Sequence, residues 1–313
     1  MQSLNKNIPA TFVLFLFVAW SGYAQKKISI VTSLPDLASI AQEVGGDKVE
    51  ATSIAKGYQD PHFVDAKPSY MISLQKADLF IEMGLDLEIG WVPLLVDGAR
   101  NPAIQPGGKG FLDASTGVPL LEIPSGDPTK LRAEGDIHVY GNPHYWLDPQ
   151  RGKVIAKNIF DALVALRPEN KDYFKKNLDA FDKKIDEKTA VWIAKLAPLK
   201  GTKIIAFHNS WPYLTERFGL QVQAFIEPKP GIPPTPKHLV SLIKLIQEQN
   251  IGSIIIEPYY SKKSAEILAE KTNAQIVELA TSVGAEKSIN SYFDLFDYNV
   301  NRLVDALGKS AHH

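Results

Sequence analysis

The sequence predicts an α/β protein: two lobes, each built on a parallel sheet, joined by a long helical span. Three observations carry this. Short β-branched apolar runs alternate with helix-period stretches, as in parallel βαβ units. The alternation occurs before residue 101 and again after residue 200. Between the two lie apolar stripes at helical spacing, with no glycine or loop cluster dividing them.

The first 24 residues read as an export signal. Met1 to Asn7 carries one lysine, and "ATFVLFLFVAW" (10–20) is an apolar run short for a membrane span. Gly22 and Ala24 stand at small-residue cleavage positions, so the mature chain is expected to begin at Gln25. An uncleaved anchor helix is the alternative.

The first lobe, 25–148, opens with strand "KISIVTS" (27–33) and helix "LPDLASIAQEVGG", ended by Gly45 and Gly46. "VEATSIA" (49–55) and "ADLFIEMG" (77–84) are further strands, and "LEIGWVPLLVDGA" (87–99) a helix. Residues 101–148 have no clear period and are rich in Gly, Pro and Asp, the mark of a functional or mobile loop. The span 149–198 carries Ile155, Ile159, Leu163 and Leu166, then Phe174, Leu178, Phe181 and Ile185. With Pro168 between them, it reads as one long, kinked helix. The second lobe, 199–313, resumes with strands "KIIAFH" (203–208), "VQAFIE" (222–227), "SIIIEP" (253–258) and "AQIVEL" (274–279). Thr235-Pro236 caps one of its helices, and Phe296, Val300, Leu303 and Leu307 stripe the last.

The chain has 313 residues, 45% of them apolar, and a formal net charge of -1. That balance supplies a core and argues against nucleic acid as a partner. Cysteine is absent, which removes disulfides, thiolate metal sites and cysteine nucleophiles. It also removes the thiol that carries a lipoprotein's lipid. The expectation is an exported, unanchored protein of a double-membrane bacterium's periplasm.

Histidine carries the chemistry. Of seven, His312 and His313 end a polar tail, and His238 lies on a helix surface. His62 in "YQDPHFVDAKP" and His144 in "NPHYWLDP" each follow a proline in a loop; His208 ends a strand, crowded by Asn209 and Trp211. A proline pins the preceding backbone, and a fixed imidazole is what a metal site needs. One loop histidine is more often a surface residue; three at strand ends or loops around one cleft read as a metal site. Glu257, at the end of an apolar strand, is costly to bury unless paired or bound to a cation. It reads equally as a ligand or as an orienting partner. Glu227 is a weaker copy of the same pattern.

These segments, with "ADLFIEMGLDLE" (77–88), "IIAFHNSWPYLTERFGL" (204–220), "PTPKHLVSLIKLIQEQNI" (234–251) and "IIIEPYYSKKSAEILAEKTNA" (254–274), resemble the cluster A-I family of solute receptors for ABC importers. Those are zinc and manganese receptors with a rigid helix between two lobes. The resemblance implies one metal between the lobes, ligand roles for His62, His144 and His208, and a membrane permease with a cytoplasmic ATPase as partner. A long helix as connector predicts little hinge closure, with movement mainly in the loop 123–143, and a monomer is expected. The family's aspartate after the last strand is replaced here: "ELATSVGAE" offers Thr281 and Ser282, leaving Glu257 or water as fourth donor. The loop before His144 offers His138, Asp127, Glu134 and Asp136, a weak metal gatherer. His138 could touch an entering ion. Three imidazoles and at most one carboxylate rank Zn²⁺ above Mn²⁺. The alternatives are a mononuclear zinc hydrolase, a manganese receptor, and an adhesin of the same family.

Overall fold

The computed structural model describes residues 26–126 and 138–310. The signal segment, Asp127, Glu134, Asp136, His312 and His313 lie outside the described residues.

In the first lobe, strands β1 (Ile28–Thr32), β2 (Val49–Ser53), β3 (Leu79–Glu82) and β4 (Phe111–Asp113) form a parallel sheet in the order β2-β1-β3-β4. In the second, β5 (Lys203–Ala206), β6 (Gln221–Phe225), β7 (Ser253–Ile256) and β8 (Gln275–Glu278) repeat it as β6-β5-β7-β8. In each sheet the chain starts at an inner strand, pairs outward, then crosses to the other side. The strand order thus reverses beside β1 and β5, and ligands of such sheets bind beyond the carboxyl ends there.

The first-lobe helices are α1 (Pro35–Gly45), α2 (Pro68–Gln75) and α3 (Val92–Ala99). Two departures from the expected pattern have local causes. The helix expected over 87–99 begins only at Val92, because Leu85 and Asp86 both adopt left-handed backbone angles and turn the chain first. Helix α2 and strand β4 escape sequence reading because their patterns are faint. Only Leu74 of α2 is buried, and β4 is three half-buried residues inside the irregular stretch.

The span between the lobes is two helices, where the sequence reads as one: α4 (Pro149–Leu166) and α5 (Lys171–Leu196). Arg167, restricted by the proline after it, leaves the helical region at φ -142° and ψ 71°. The chain then doubles back. Lys153 Nζ reaches Asp186 at 2.9 Å, and Gln150 Nε2 reaches Asp186 at 3.0 Å and Thr189 at 3.3 Å, an antiparallel pairing. Helix α5 has 26 residues, so it spans roughly 39 Å at about 1.5 Å per residue. It packs on α1 in the first lobe and on α6 (Pro212–Phe218) and α9 (Tyr292–Ser310) in the second. The remaining helices are α7 (Pro236–Gln249) and α8 (Lys263–Thr272).

One apolar core runs through both lobes, joining Ile30 and Leu79 of the first sheet to Ile204 and Ile255 of the second through Tyr145, Trp146 and Trp211. Smaller clusters lie under the outer face of each sheet. Polar contacts bolt the same seam. Asp36 of α1, fully buried, accepts from Ser282 Oγ and from Val283 N at 3.1 Å. Gly57 lies so close to the 283–285 turn that a Cβ there would meet Val283 O at 2.1 Å.

Candidate metal centre

Beyond the carboxyl ends of the two sheets, three imidazoles converge. The ring centroids of His62, His144 and His208 stand 5.3, 5.3 and 5.4 Å apart. Each offers a nitrogen within 4.8 Å of the others, and all three residues are buried.

The same local device holds two of them. Asp60 Oδ1 accepts from the His62 backbone N–H at 3.0 Å and from its Nδ1 at 2.7 Å. Asn142 Oδ1 does the same for His144, at 3.0 Å in both cases. In each, an Asx residue precedes a proline and a histidine, so the proline sets the turn and the Asx oxygen orients the ring. The sequence reading noticed the prolines and missed the oxygens two residues before each histidine. A repeated Asx-Pro-His would have revealed them.

His208 is held across strands. Its Nδ1 lies 2.6 Å from Glu227 Oε2 at the end of the neighbouring β6, and Glu227 Oε1 also accepts from Gly231 N at 2.7 Å. Glu227, ranked below Glu257 by sequence, is therefore the carboxylate that orients an imidazole. With every Nδ1 donating to oxygen, every Nε2 keeps its lone pair for the interior of the triangle. His144 Nε2 is buried without a hydrogen-bond partner, as a nitrogen reserved for a ligand would be.

The residues after His144 lock the turn between the lobes. Tyr145 Oη donates to Met83 O at 2.6 Å in the first lobe, and Trp146 Nε1 to Thr281 O at 2.8 Å in the second. Asp148, fully buried, caps α4 and takes Arg151 Nη1 at 2.7 Å and two bonds from Arg217 of α6, both at 2.8 Å.

The electrostatics favour a neutral ring at His144. Burial first, then the neighbouring histidines, holds the His144 ring far below the ordinary imidazole range. Asp60 shows the opposite balance. Burial pushes it up, but its hydrogen bonds and charge interaction with His62 prevail and hold it below the usual carboxylate range.

Glu257 does not join the triangle. It ends β7 and is wholly buried beside the Ser210 and Trp211 side chains; burial outweighs their hydrogen bonding and pushes its carboxyl up to about 8. Thr281, at the position where an acid was expected, is buried with an unpartnered hydroxyl. His138 comes close instead: its Nε2 is 3.2 Å from His62 Nε2. Burial, with His62 and His208 nearby, pushes the His138 ring down to about 3. It lines a cavity of about 260 Å³ with Glu122, Asn142, His144, His208 and Asn209.

A family described as zinc-uptake complex component A, periplasmic, matches residues 30–306. Curated relatives include the manganese ABC transporter substrate-binding lipoprotein PsaA of Streptococcus anginosus, 26% identical over 292 residues, covering 91% of this chain and 90% of that protein. PsaA of Streptococcus pneumoniae is 25% identical over 318 residues, covering 97% and 98%. Among solved structures, a crystal structure of ZnuA superposes with TM-score 0.76 at 26% identity, over 90% of this chain and 99% of that one. A zinc-bound deletion mutant of ZnuA gives 0.74 at 26%, over 90% and 98%.

The expectation of an unanchored periplasmic protein is corrected by these relatives, which are named lipoproteins. The missing cysteine bears on one attachment chemistry within these 313 residues and does not place the working protein. No helix among the described residues is long and apolar enough to cross a membrane.

Proposed function

The chain belongs to the zinc-uptake component A family, and from that premise we propose that it captures one Zn²⁺ in the triangle of His62, His144 and His208 and delivers it to the permease of an ABC importer. Its class is that of metal-binding substrate-binding proteins, which work with a membrane permease and an ATPase. The family is one of transport components rather than enzymes.

One observation carries the reading: three buried imidazoles, each with Nδ1 bound to an oxygen, turn their Nε2 atoms towards one point. Nitrogen donors in a small tetrahedral site suit zinc, whereas manganese favours oxygen donors and higher coordination. The relatives named for manganese supply the second reading, a manganese receptor. The shared core between the lobes supports capture without hinge closure, because opening the cleft would expose Tyr145, Trp146 and Trp211.

Competitive titration of the metal-stripped protein tests this. One equivalent of Zn²⁺ held against an excess of Mn²⁺ is expected; preferential manganese would replace zinc by the second reading. No stoichiometric metal would end both.

A further inference from the structure

We propose that His138 supplies the fourth ligand, so that the cargo is held by four imidazoles and no carboxylate. The inference rests on the capture site proposed above and names the donor that site leaves open.

Tetrahedral zinc with Zn–N bonds of about 2.0–2.1 Å holds its ligand nitrogens about 3.3 Å apart. His62 Nε2 and His138 Nε2 stand 3.2 Å apart, at that edge length. The ring centroids of His62 and His138 are 5.3 Å apart, the spacing within the triangle itself. His138 is 6.1 Å from His144 by the same measure, so its ring closes the tetrahedron by a short inward swing. It lies on the side of the cavity lined by Glu122, Asn142 and Asn209.

The rival donors fit less well. Neither His138 nor Glu257 stands within 4.8 Å of all three triangle nitrogens, but His138 already brings a ring nitrogen to 3.2 Å from His62 Nε2, whereas Glu257 makes no contact with a triangle imidazole. Glu227 and Asp60 already accept from Nδ1 of His208 and His62, and turning either inward would release the ring it orients. Thr281 offers a neutral hydroxyl, a poor zinc donor. The His62 Nε2 lone pair and the His138 Nε2 face each other. A metal between them turns that contact into two bonds.

The consequence is selectivity. An all-nitrogen set disfavours Mn²⁺ more than a set with one carboxylate, and the residue that decides it lies on a loop.

The test uses Co²⁺ as a spectroscopic stand-in, with competitive Zn²⁺ and Mn²⁺ titration, on the wild type, His138→Ala, His138→Asp and Glu257→Gln. The wild type and Glu257→Gln are expected to give the intense visible bands of tetrahedral Co²⁺. In His138→Ala these bands should weaken towards higher coordination, and zinc affinity should fall by at least the roughly tenfold that loss of an orienting partner costs. His138→Asp should recover band intensity and narrow the preference for zinc over manganese. An unchanged spectrum and zinc affinity in His138→Ala would overturn the proposal and leave the three-imidazole receptor standing, as would loss of the tetrahedral bands in Glu257→Gln alone. A wild type that binds neither Co²⁺ nor Zn²⁺ would overturn the receptor reading itself.

Discussion

His62 and His144 are held by their own neighbours in the chain, whereas His208 is held by another strand. In the first pair, an Asx residue two positions earlier binds both the backbone and the ring of the histidine. In the other, Glu227 is nineteen residues away and reaches His208 only because β5 and β6 lie side by side. The two solutions give the same result: Nδ1 is occupied by oxygen, and Nε2 is left to face the interior of the triangle. A local turn needs a few residues and is robust to changes elsewhere; a cross-strand bond depends on register, and here β5 and β6 shift register between Ile204 and Ile205.

The largest way to break the comparison is to remove an imidazole. His208→Ala and His144→Ala are each expected to cost more than the roughly 100-fold that loss of an orienting partner costs, measured by competitive zinc titration. Equal zinc affinity in either variant would remove that residue from the triangle.

Next in size is the bolt beneath His144. Asp148→Ala leaves Arg151 and Arg217 without their buried partner, and should destabilise the fold by about 3 kcal/mol or more in urea unfolding. The corresponding loss on the His62 side should be smaller, because there Asp60 binds the His62 imidazole and, among the described residues, no arginine.

The orienting residues sharpen the comparison. Asp60→Asn keeps an accepting Oδ1, the arrangement Asn142 already uses, and is expected to change zinc affinity by less than about tenfold. Glu227→Ala frees the His208 ring and should cost about 10–100-fold. The opposite ranking would mean that charge at Asp60, not ring orientation, is what the site needs.

The smallest effect is on stability against pH. In the fold, burial holds His144 and His138 below the ordinary imidazole value of about 6.5. Below that value the unfolded chain takes up protons that the fold refuses, so stability is full above it and is lost as pH falls. Buried carboxyls such as Glu257, pushed up to about 8, act in the opposite direction but equally in both proteins, so the readout is the difference: the stability of the metal-free wild type relative to His144→Asn should fall from pH 7.5 to 5.5. Equal slopes would contradict the buried, neutral ring.

Both parallel sheets were legible, because β-branched runs such as "KISIVTS" and "SIIIEP" admit few other readings. The helical hairpin was not: apolar stripes before and after Pro168 look the same whether the chain runs straight or turns back. The site divides the same way. Asp60 and Asn142 were within reach, since they sit beside the prolines already singled out. Glu227 and Glu257 look alike as strand-end carboxylates, and only strand order puts Glu227 beside His208. His138, alone in an aperiodic loop, shows its position only in three dimensions.

The most direct test is the anomalous difference density of crystals of the zinc-loaded protein at the zinc edge. The account predicts one peak, about 2.0–2.1 Å from Nε2 of His62, His144 and His208, with the three Nδ1 atoms still bonded to Asp60, Asn142 and Glu227. A peak coordinated through any Nδ1, or lying outside the triangle, would contradict it.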